Sequence, residues 1–212
     1  MKSAKNRLVK RGRKPSDRKA PLAKLRSLGV FTRRDAVDSG LPPAAVSRLV
    51  VSGVIQRLGR NLFIHPDCRI DARVLDFVVA CEALGAEAVV GGLSALFHYN
   101  LTDQVPSRIW LLVPAARKTT NRMYRLIRTT EDLTLEVSSI DHYRIVTLER
   151  AIVEAFRYST KIGLETAFAA AKTAISDGRT TTAKILKAAQ RLHLEPFILK
   201  HWEALITLGG PT

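Results

Sequence analysis

Glycine and proline punctuate residues 21 to 66 so closely that only short helices and tight turns fit between them. The breaks fall at Gly29, Gly40, Pro42, Gly53 and Gly59. Leucines at three-residue spacing predict a first helix over residues 21 to 28. Thr32, with Asp35 three residues later, has the spacing of a capping box and predicts a second helix that ends at Ser39. The segment should therefore begin with two short helices.

A third helix and a hairpin are predicted to follow. Pro43 can begin the helix, because a proline in the first turn sacrifices no hydrogen bond. The residues directed inward would be Val46, Leu49 and Val50. Two β-prone runs separated by residues 59 to 61 then predict the hairpin. The runs are Val54–Leu58 and Leu62–His65. Helix, helix, turn, helix and hairpin is the order of a winged helix-turn-helix.

The positive charge of the chain is concentrated in this N-terminal part. The formal net charge is +15, and residues 1 to 70 carry 17 Lys or Arg against four Asp and no Glu. Residues 71 to 212 carry 17 against 15. Residues 1 to 20 have almost nothing apolar and are predicted to be a disordered basic arm. Such an imbalance favours a polyanionic partner, double-stranded DNA first and an anionic membrane second.

Beyond residue 70 the sequence predicts both helices and strands. A helix over residues 71 to 84, an extended piece over 88 to 90 and a short helix over 93 to 99 precede four strands. The strands are predicted at 108 to 113, 124 to 129, 134 to 137 and 143 to 146. Four helices should end the chain, at 148 to 158, 163 to 175, 181 to 192 and 196 to 206. The fold class is α+β, with a winged domain at 21 to 70 and a mixed α/β domain at 71 to 212.

The third helix supplies the candidate contacts to DNA bases, because the second helix of the motif enters the major groove. Ser47 and Arg48 are the polar residues on its outward side, and a solvated surface role for Arg48 stays open. Cations that precede this helix or follow it would meet the phosphate backbone. These cations are Arg33 and Arg34 in the second helix and Arg57 and Arg60 in the wing, whose tip also presents the polar Asn61 to the backbone.

The basic arm contains a second DNA-binding pattern. Residues 11 to 15, which include Arg11, Arg13 and Lys14, resemble the core of an AT-hook, in which Arg-Gly-Arg lies in a narrow minor groove. Lys14 is a departure, because it separates Arg13 from the proline. Minor-groove insertion and unspecific attraction to phosphates both remain open, and both predict affinity that falls with salt.

Signatures of catalysis and of cofactors are scarce, and we expect neither. His65 and Cys68 lack the second pair that a zinc site needs, while Cys81 and His98 are interpreted as structural. Gly91 and Gly92 precede Leu-Ser, but neither a carboxylate pair nor a Gly-Lys-Ser/Thr ending accompanies them, so close packing is favoured. An enzyme that acts on nucleic acid is the weaker alternative. Two cysteines, no secretion signal and no membrane-length apolar run predict a cytoplasmic protein near the nucleoid.

A basic stripe marks the C-terminal helices. Three cations at i, i+3 and i+7 share one helix face, with two more just upstream. The five residues are Lys172, Arg179, Lys184, Lys187 and Arg191. A solvated face is the ordinary interpretation, and contact with an acidic partner or RNA is the alternative.

Two stretches of the chain resemble the AbiEi family of antitoxins from type IV toxin-antitoxin systems. The first runs from Gly29-Val-Phe-Thr-Arg-Arg-Asp-Ala-Val37 to the wing Arg57-Leu-Gly-Arg-Asn-Leu-Phe-Ile-His-Pro66. The second comprises Gly92-Leu-Ser-Ala-Leu-Phe-His-Tyr-Asn-Leu-Thr-Asp-Gln-Val-Pro106, Ile109-Trp-Leu-Leu-Val-Pro114 and Ile145-Val-Thr-Leu-Glu-Arg-Ala-Ile-Val153. Departures are Asn61 in place of a wing glycine, and Ala151 and Glu154 in place of threonine and aspartate.

The resemblance implies a repressor that binds inverted repeats upstream of its own toxin-antitoxin operon. It also implies that the second domain counteracts a nucleotidyltransferase toxin, without necessarily forming a stable complex with it. A stand-alone winged-helix transcription factor without a toxin is the alternative.

Overall fold

The computed structural model describes residues 19–68, 70–140 and 143–209. These residues divide into two compact units on either side of the boundary between Ile70 and Asp71. Residues 1 to 18, which hold most of the predicted basic arm, lie outside the described part of the chain.

The first unit contains three helices and a three-stranded sheet. Its elements are α1 (Lys19–Leu28), β1 (Val30–Thr32), α2 (Arg33–Asp38), α3 (Pro43–Val51), β2 (Gln56–Arg57) and β3 (Leu62–Ile64). The predicted capping box is present, since Thr32 Oγ1 accepts from Asp35 N–H at 3.2 Å and Asp35 Oδ2 accepts from Thr32 N–H at 2.7 Å. Gly29, at φ 71°, ends α1 as predicted.

The predicted hairpin is only part of a larger sheet. Its strand β3 lies in the centre and pairs antiparallel with β2 on one side and with β1 on the other, so Phe63 lies opposite both Arg57 and Phe31. The first strand of the hairpin is also shorter than predicted. The N–H groups of Val54 and Ile55 donate back to the carbonyl of Leu49 in α3, so these two residues are bound to the C-terminal end of the helix and do not extend the ladder.

The core of the first unit is formed by apolar residues of the helices and of the sheet. Burying such a set is the main stabilising term for a module this small. The buried members are Leu25, Phe31, Ala36, Leu41, Ala45, Val46, Leu49, Ile55 and Phe63. Val50 packs against this cluster and is half-buried, as the spacing in α3 predicted.

The second unit is a five-stranded mixed sheet with helices. Its first part comprises α4 (Ala72–Leu84), β4 (Val89–Val90), α5 (Gly92–His98), β5 (Ile109–Pro114), β6 (Tyr124–Thr129), β7 (Val137–Ile140) and β8 (Tyr143–Val146). The helices α6 (Leu148–Arg157), α7 (Ser159–Ile162), α8 (Leu164–Ser176), α9 (Thr182–Arg191), α10 (Glu195–Leu199) and α11 (Trp202–Gly209) follow. The strand order is β6-β5-β4-β8-β7, with β5 and β6 parallel. The described chain is therefore α+β, as predicted.

Two predictions for elements of this unit were wrong in detail. The strand predicted at 134 to 137 begins only at Val137, because Asp132 Oδ1 accepts from Thr134 N–H at 2.7 Å and Glu136 has φ 49°. The helix predicted at 196 to 206 is two helices, α10 and α11, with Lys200 and His201 between them.

Helix α6 is buried from Arg150 to Phe156 and contains an ion pair. Arg150 and Glu154 are each 1% exposed, and the distance from Arg150 Nε to Glu154 Oε1 is 2.9 Å. The second carboxylate oxygen accepts from Gly92 N–H at 3.1 Å. Burial raises the pKa of Glu154 above its ordinary value, and the Arg150 guanidinium opposes that shift.

Arginines also hold the irregular backbone between β6 and β7. Arg150 Nη1 donates to the carbonyl of Leu135 at 2.6 Å, and Arg144 donates to the carbonyl of Leu133. At the two ends of this segment, Arg157 binds the carboxylate of Glu131 and Arg191 binds that of Glu136, at 2.6 to 2.7 Å.

Close packing explains the glycine pair at the start of α5, in agreement with the sequence interpretation. A Cβ at Gly91 would overlap Cδ1 of Leu112 in β5. A Cβ at Gly92, which has φ 51°, would lie 2.6 Å from Cε3 of Trp110. The next polar group, Ser94 Oγ, accepts from Trp110 N–H at 2.9 Å and is fully buried.

Tyr99 links α5 to β8 and should make stability sensitive to alkaline pH. Its hydroxyl donates to the carbonyl of Val146 at 2.8 Å, and burial raises the pKa of Tyr99 to about 12. Because folding raises this pKa, the contribution of Tyr99 to the free energy of unfolding is complete below the unfolded-state pKa near 10. That contribution is lost as the pH rises toward 12. We expect Tyr99→Phe to destabilise by about 1 kcal/mol at neutral pH. The gap to the wild type should shrink between about pH 10 and 12, as urea unfolding at several pH values would measure. A gap that stays constant would contradict this.

Candidate nucleic-acid interface

The outward face of α3 is free of the core of its own unit. Val46 and Leu49 are buried, whereas Ala44, Ser47, Arg48 and Val51 are exposed and lie at i, i+3, i+4 and i+7 on one face. Val51 is 90% exposed, which is unusual for an apolar residue on an element with a packed opposite side. This is the face that a helix-turn-helix presents to a groove.

Two arginines converge on the first turn of α3. Arg33 Nη1 donates to the carbonyl of Pro43 at 3.4 Å, and Arg48 Nε donates to the carbonyl of Ala44 at 3.4 Å. Arg33 also lies over the ring of Phe63 in the central strand, 5.8 Å from its centroid. Both guanidinium groups are exposed and retain further N–H donors. Together with the positive end of the helix dipole, they form a cationic first turn.

The acidic residues that the structure describes in the first unit leave this cationic turn uncompensated. Asp35 is engaged in the capping box with Thr32. Asp38 pairs with Arg34 at 3.9 Å, and Asp67 pairs with Arg26 at 3.6 Å. The charge of Arg34 is therefore partly compensated and that of Arg33 is not, although the sequence analysis predicted the same phosphate contact for both.

The wing arginines have different roles. Arg57 Nε donates to the carbonyl of Gly59 at 2.9 Å, and its Nη2 donates to the carbonyl of Arg60 at 3.1 Å, so Arg57 closes the turn. The remaining donors of Arg57, together with exposed Arg60 and Asn61, are available at the tip. The sequence predicted only a phosphate contact for Arg57 and missed its bracing of the turn.

Three predicted DNA contacts, Arg11, Arg13 and Lys14, lie outside the described residues. The C-terminal stripe is described, and it is less uniform than its spacing suggests. Arg191 pairs with Glu136 at 2.6 Å, and Arg179 Nη1 donates to the carbonyl of Tyr99 at 2.7 Å. The exposed members of the stripe that carry no such bond are Lys172, Lys184 and Lys187.

Residues 19–68, 70–140 and 143–209 contain neither a metal-binding cluster nor a membrane-spanning helix. No group of three or more His, Cys, Asp or Glu residues there could hold a metal ion. His65 Nδ1 accepts from Asp67 N–H at 3.2 Å within the turn that leads to Cys68, whose pKa is raised by burial. In the same ranges no helix is long and apolar enough to cross a bilayer.

Three helices in the helix-turn-helix order and an antiparallel three-stranded sheet define the first unit as a winged helix-turn-helix. Residues 20–64 match the family model described as transcriptional regulator, AbiEi antitoxin. This segment therefore carries the family domain, as the resemblance predicted. The match ends before residues 92 to 153, so the antitoxin interpretation of that stretch stays a prediction. No curated protein matches the chain.

Proposed function

We propose that this protein is a DNA-binding repressor and antitoxin that regulates its own operon and counteracts a nucleotidyltransferase toxin. The cationic first turn of α3, inside a segment that matches an antitoxin regulator family, is the observation that carries the proposal. Ser47 and Arg48 contact base edges in the major groove, and Arg33 contacts the adjacent phosphates. Arg60 and Asn61 follow the backbone from the wing, on a turn that Arg57 holds closed.

A single unit offers few groups that can read bases. Ser47 and Arg48 are the polar side chains on the exposed face of α3, and Ala44 and Val51 can add apolar contacts to thymine methyl groups. Two copies on inverted half-sites, about one helical turn apart, double the number of contacts and supply the missing specificity.

Replacing Arg48 and Arg60 together by alanine is expected to weaken binding to the upstream DNA by roughly 100-fold. Each arginine is worth about 1–3 kcal/mol at such a contact. Fluorescence anisotropy at one fixed salt concentration measures the change. Lys24→Ala with Arg26→Ala is the matched control, because it removes the same charge from the exposed side of α1. Equal losses in both variants, or a loss in neither, would refute the proposed orientation.

The antitoxin half of the proposal has a separate test. The test requires a nucleotidyltransferase-like gene beside this one. That gene is expressed from one promoter and this chain from an unrelated one, so that repression plays no part. We expect growth to recover with the wild type and equally with the Arg48→Ala and Arg60→Ala variant. DNA binding without growth rescue would favour the stand-alone transcription factor.

A further inference from the structure

A second run of cations lies in the second unit. Residues 104 to 130 contain six basic residues and no Asp or Glu, although residues 71 to 212 as a whole are nearly neutral. The six are Arg108, Arg117, Lys118, Arg122, Arg125 and Arg128. Positive charge in this unit is therefore concentrated in residues 104 to 130.

The fold places these cations on the edge strand β6 and near the ends of β5 and β6. Strand β6 is the first in the strand order and is paired only with β5 within the part of the chain that the structure describes. Arg125 and Arg128 lie on β6 itself, and Arg122 lies two residues before it. Arg108 precedes β5, whose first residue, Ile109, lies opposite Tyr124. The remaining two, Arg117 and Lys118, follow the other end of β5. We call these six residues the β6 edge.

The other arginines of the second unit whose side chains the structure describes are used by the fold. Side-chain donors bind a carboxylate or a backbone carbonyl in Arg144, Arg150, Arg157, Arg179 and Arg191. Among the residues with described side chains, no hydrogen bond or ion pair to an acid engages the guanidinium groups of the β6 edge. Ion pairs and hydrogen bonds within the described part of this unit therefore do not account for the cations of the β6 edge.

Trp110 indicates what kind of recognition this surface permits. The Arg125 guanidinium lies 4.0 Å from the centroid of the Trp110 ring, on the neighbouring strand. Trp110 is only 4% exposed, so its ring cannot stack on a base. A cation held over an aromatic face is fixed in position and still exposes donors. The surface can therefore bind charge and offers little for reading sequence.

We propose that the β6 edge binds the sugar-phosphate backbone of nucleic acid, independently of sequence. The six residues of β6 span roughly 20 Å, a length that covers several phosphates of one strand. Arginine outnumbers lysine five to one in this set, and its fork of donors matches phosphate oxygens. Alternate residues of a strand point to opposite faces, so Arg125 and Arg128 flank a backbone that runs along the edge.

The test compares two full-length variants that lose the same charge. One carries Arg122→Gln, Arg125→Gln and Arg128→Gln, and the other carries Lys172→Gln, Lys184→Gln and Lys187→Gln on α8 and α9. Binding to the upstream duplex, to an unrelated duplex and to single-stranded RNA is measured at several salt concentrations. We expect the β6 edge variant to lose about 2–3 from the slope of log K against log salt on duplex DNA, since each phosphate contact contributes about 0.9. The control should stay close to the wild type on both duplexes, since the alternative left open for its three lysines is an acidic partner or RNA.

Intrinsic fluorescence supplies a second readout at the same site. Both tryptophans, Trp110 and Trp202, lie in the second unit, and residues 1 to 70 contain neither Trp nor Tyr. Backbone binding beside Arg125 should change tryptophan emission in the wild type and in the control but not in the β6 edge variant.

The outcomes separate the sources of the backbone and the rival explanations. A smaller salt slope for the β6 edge variant on both duplexes assigns the surface to DNA. A smaller slope only on the single-stranded RNA assigns it to RNA. Equal slopes for the β6 edge variant and its control on every nucleic acid would overturn the proposal. So would aggregation without altered binding, because charges on an edge strand also oppose pairing with another chain. Neither result depends on Arg48 and Arg60, whose own variants test the winged domain.

Discussion

Replacing Glu154 by leucine should lower the free energy of unfolding of the second unit by about 3–5 kcal/mol, because it leaves a buried guanidinium without a counterion. Arg150 is 1% exposed and would keep only the carbonyl of Leu135 as an acceptor. Gly92 N–H would also lose its acceptor at the start of α5. Urea denaturation followed by tryptophan emission measures this unit alone, since both tryptophans belong to it.

Two controls decide whether the lost ion pair is responsible. The double variant Arg150→Met and Glu154→Leu removes both charges and should be clearly more stable than Glu154→Leu alone. Glu131→Leu breaks the partly exposed pair with Arg157, in which each side chain is 26–30% exposed, and should cost only about 1 kcal/mol. A double variant that is less stable than the single one would show that the pair itself, rather than an orphaned charge, sets the stability.

Replacing Gly92 by alanine should cost about 2–5 kcal/mol in the same assay. A left-handed conformation costs a residue with a Cβ about 1–2 kcal/mol, and forced overpacking adds about 1–3 kcal/mol. Both apply, because Gly92 has φ 51° and its new methyl group would lie 2.6 Å from the Trp110 ring.

Gly178→Ala is the matched control for Gly92→Ala. Gly178 has φ 67°, in the same left-handed region, but nothing lies within 4 Å of a Cβ added there. It should therefore show the conformational cost alone, about 1–2 kcal/mol. Equal destabilisation at the two positions would mean that Trp110 and α5 move apart at no cost, which would contradict the packing described for β5.

The elements that local chemistry determines could be predicted from the sequence. Thr32 and Asp35 form their capping box because both partners lie within one turn, and α3 buries Val46 and Leu49 because its apolar residues keep the helical period. Strand β1 could not be predicted, since three residues show no alternation and depend on β3, 30 to 34 positions away, for their ladder. The two-residue strand β4, at the centre of the larger sheet, lies within the extended piece that the sequence predicted at 88 to 90.

Charged residues were the harder part of the prediction. Arg150 and Glu154 have the i, i+4 spacing of an ordinary surface pair, so nothing in the sequence distinguishes them from Arg34 and Asp38. Their burial follows from the sheet and helices that surround α6. Conversely, the β6 edge was overlooked because the charge was summed over the whole domain. A shorter window, over residues 104 to 130, contains the signal.

The segment between β6 and β7 behaves as part of the rigid framework although it is not a regular element. Arginines from β8, α6 and α9 bind its carbonyl and carboxylate oxygens, so its length and path are fixed from outside. Surface loops usually accept inserted residues. An affinity tag or a fluorescent domain inserted after Leu133 would separate these acceptors from their donors. It would leave the buried guanidinium of Arg150 without the carbonyl of Leu135 as an acceptor. The exposed turn around Gly178, where a side chain meets nothing, is the better place to insert one.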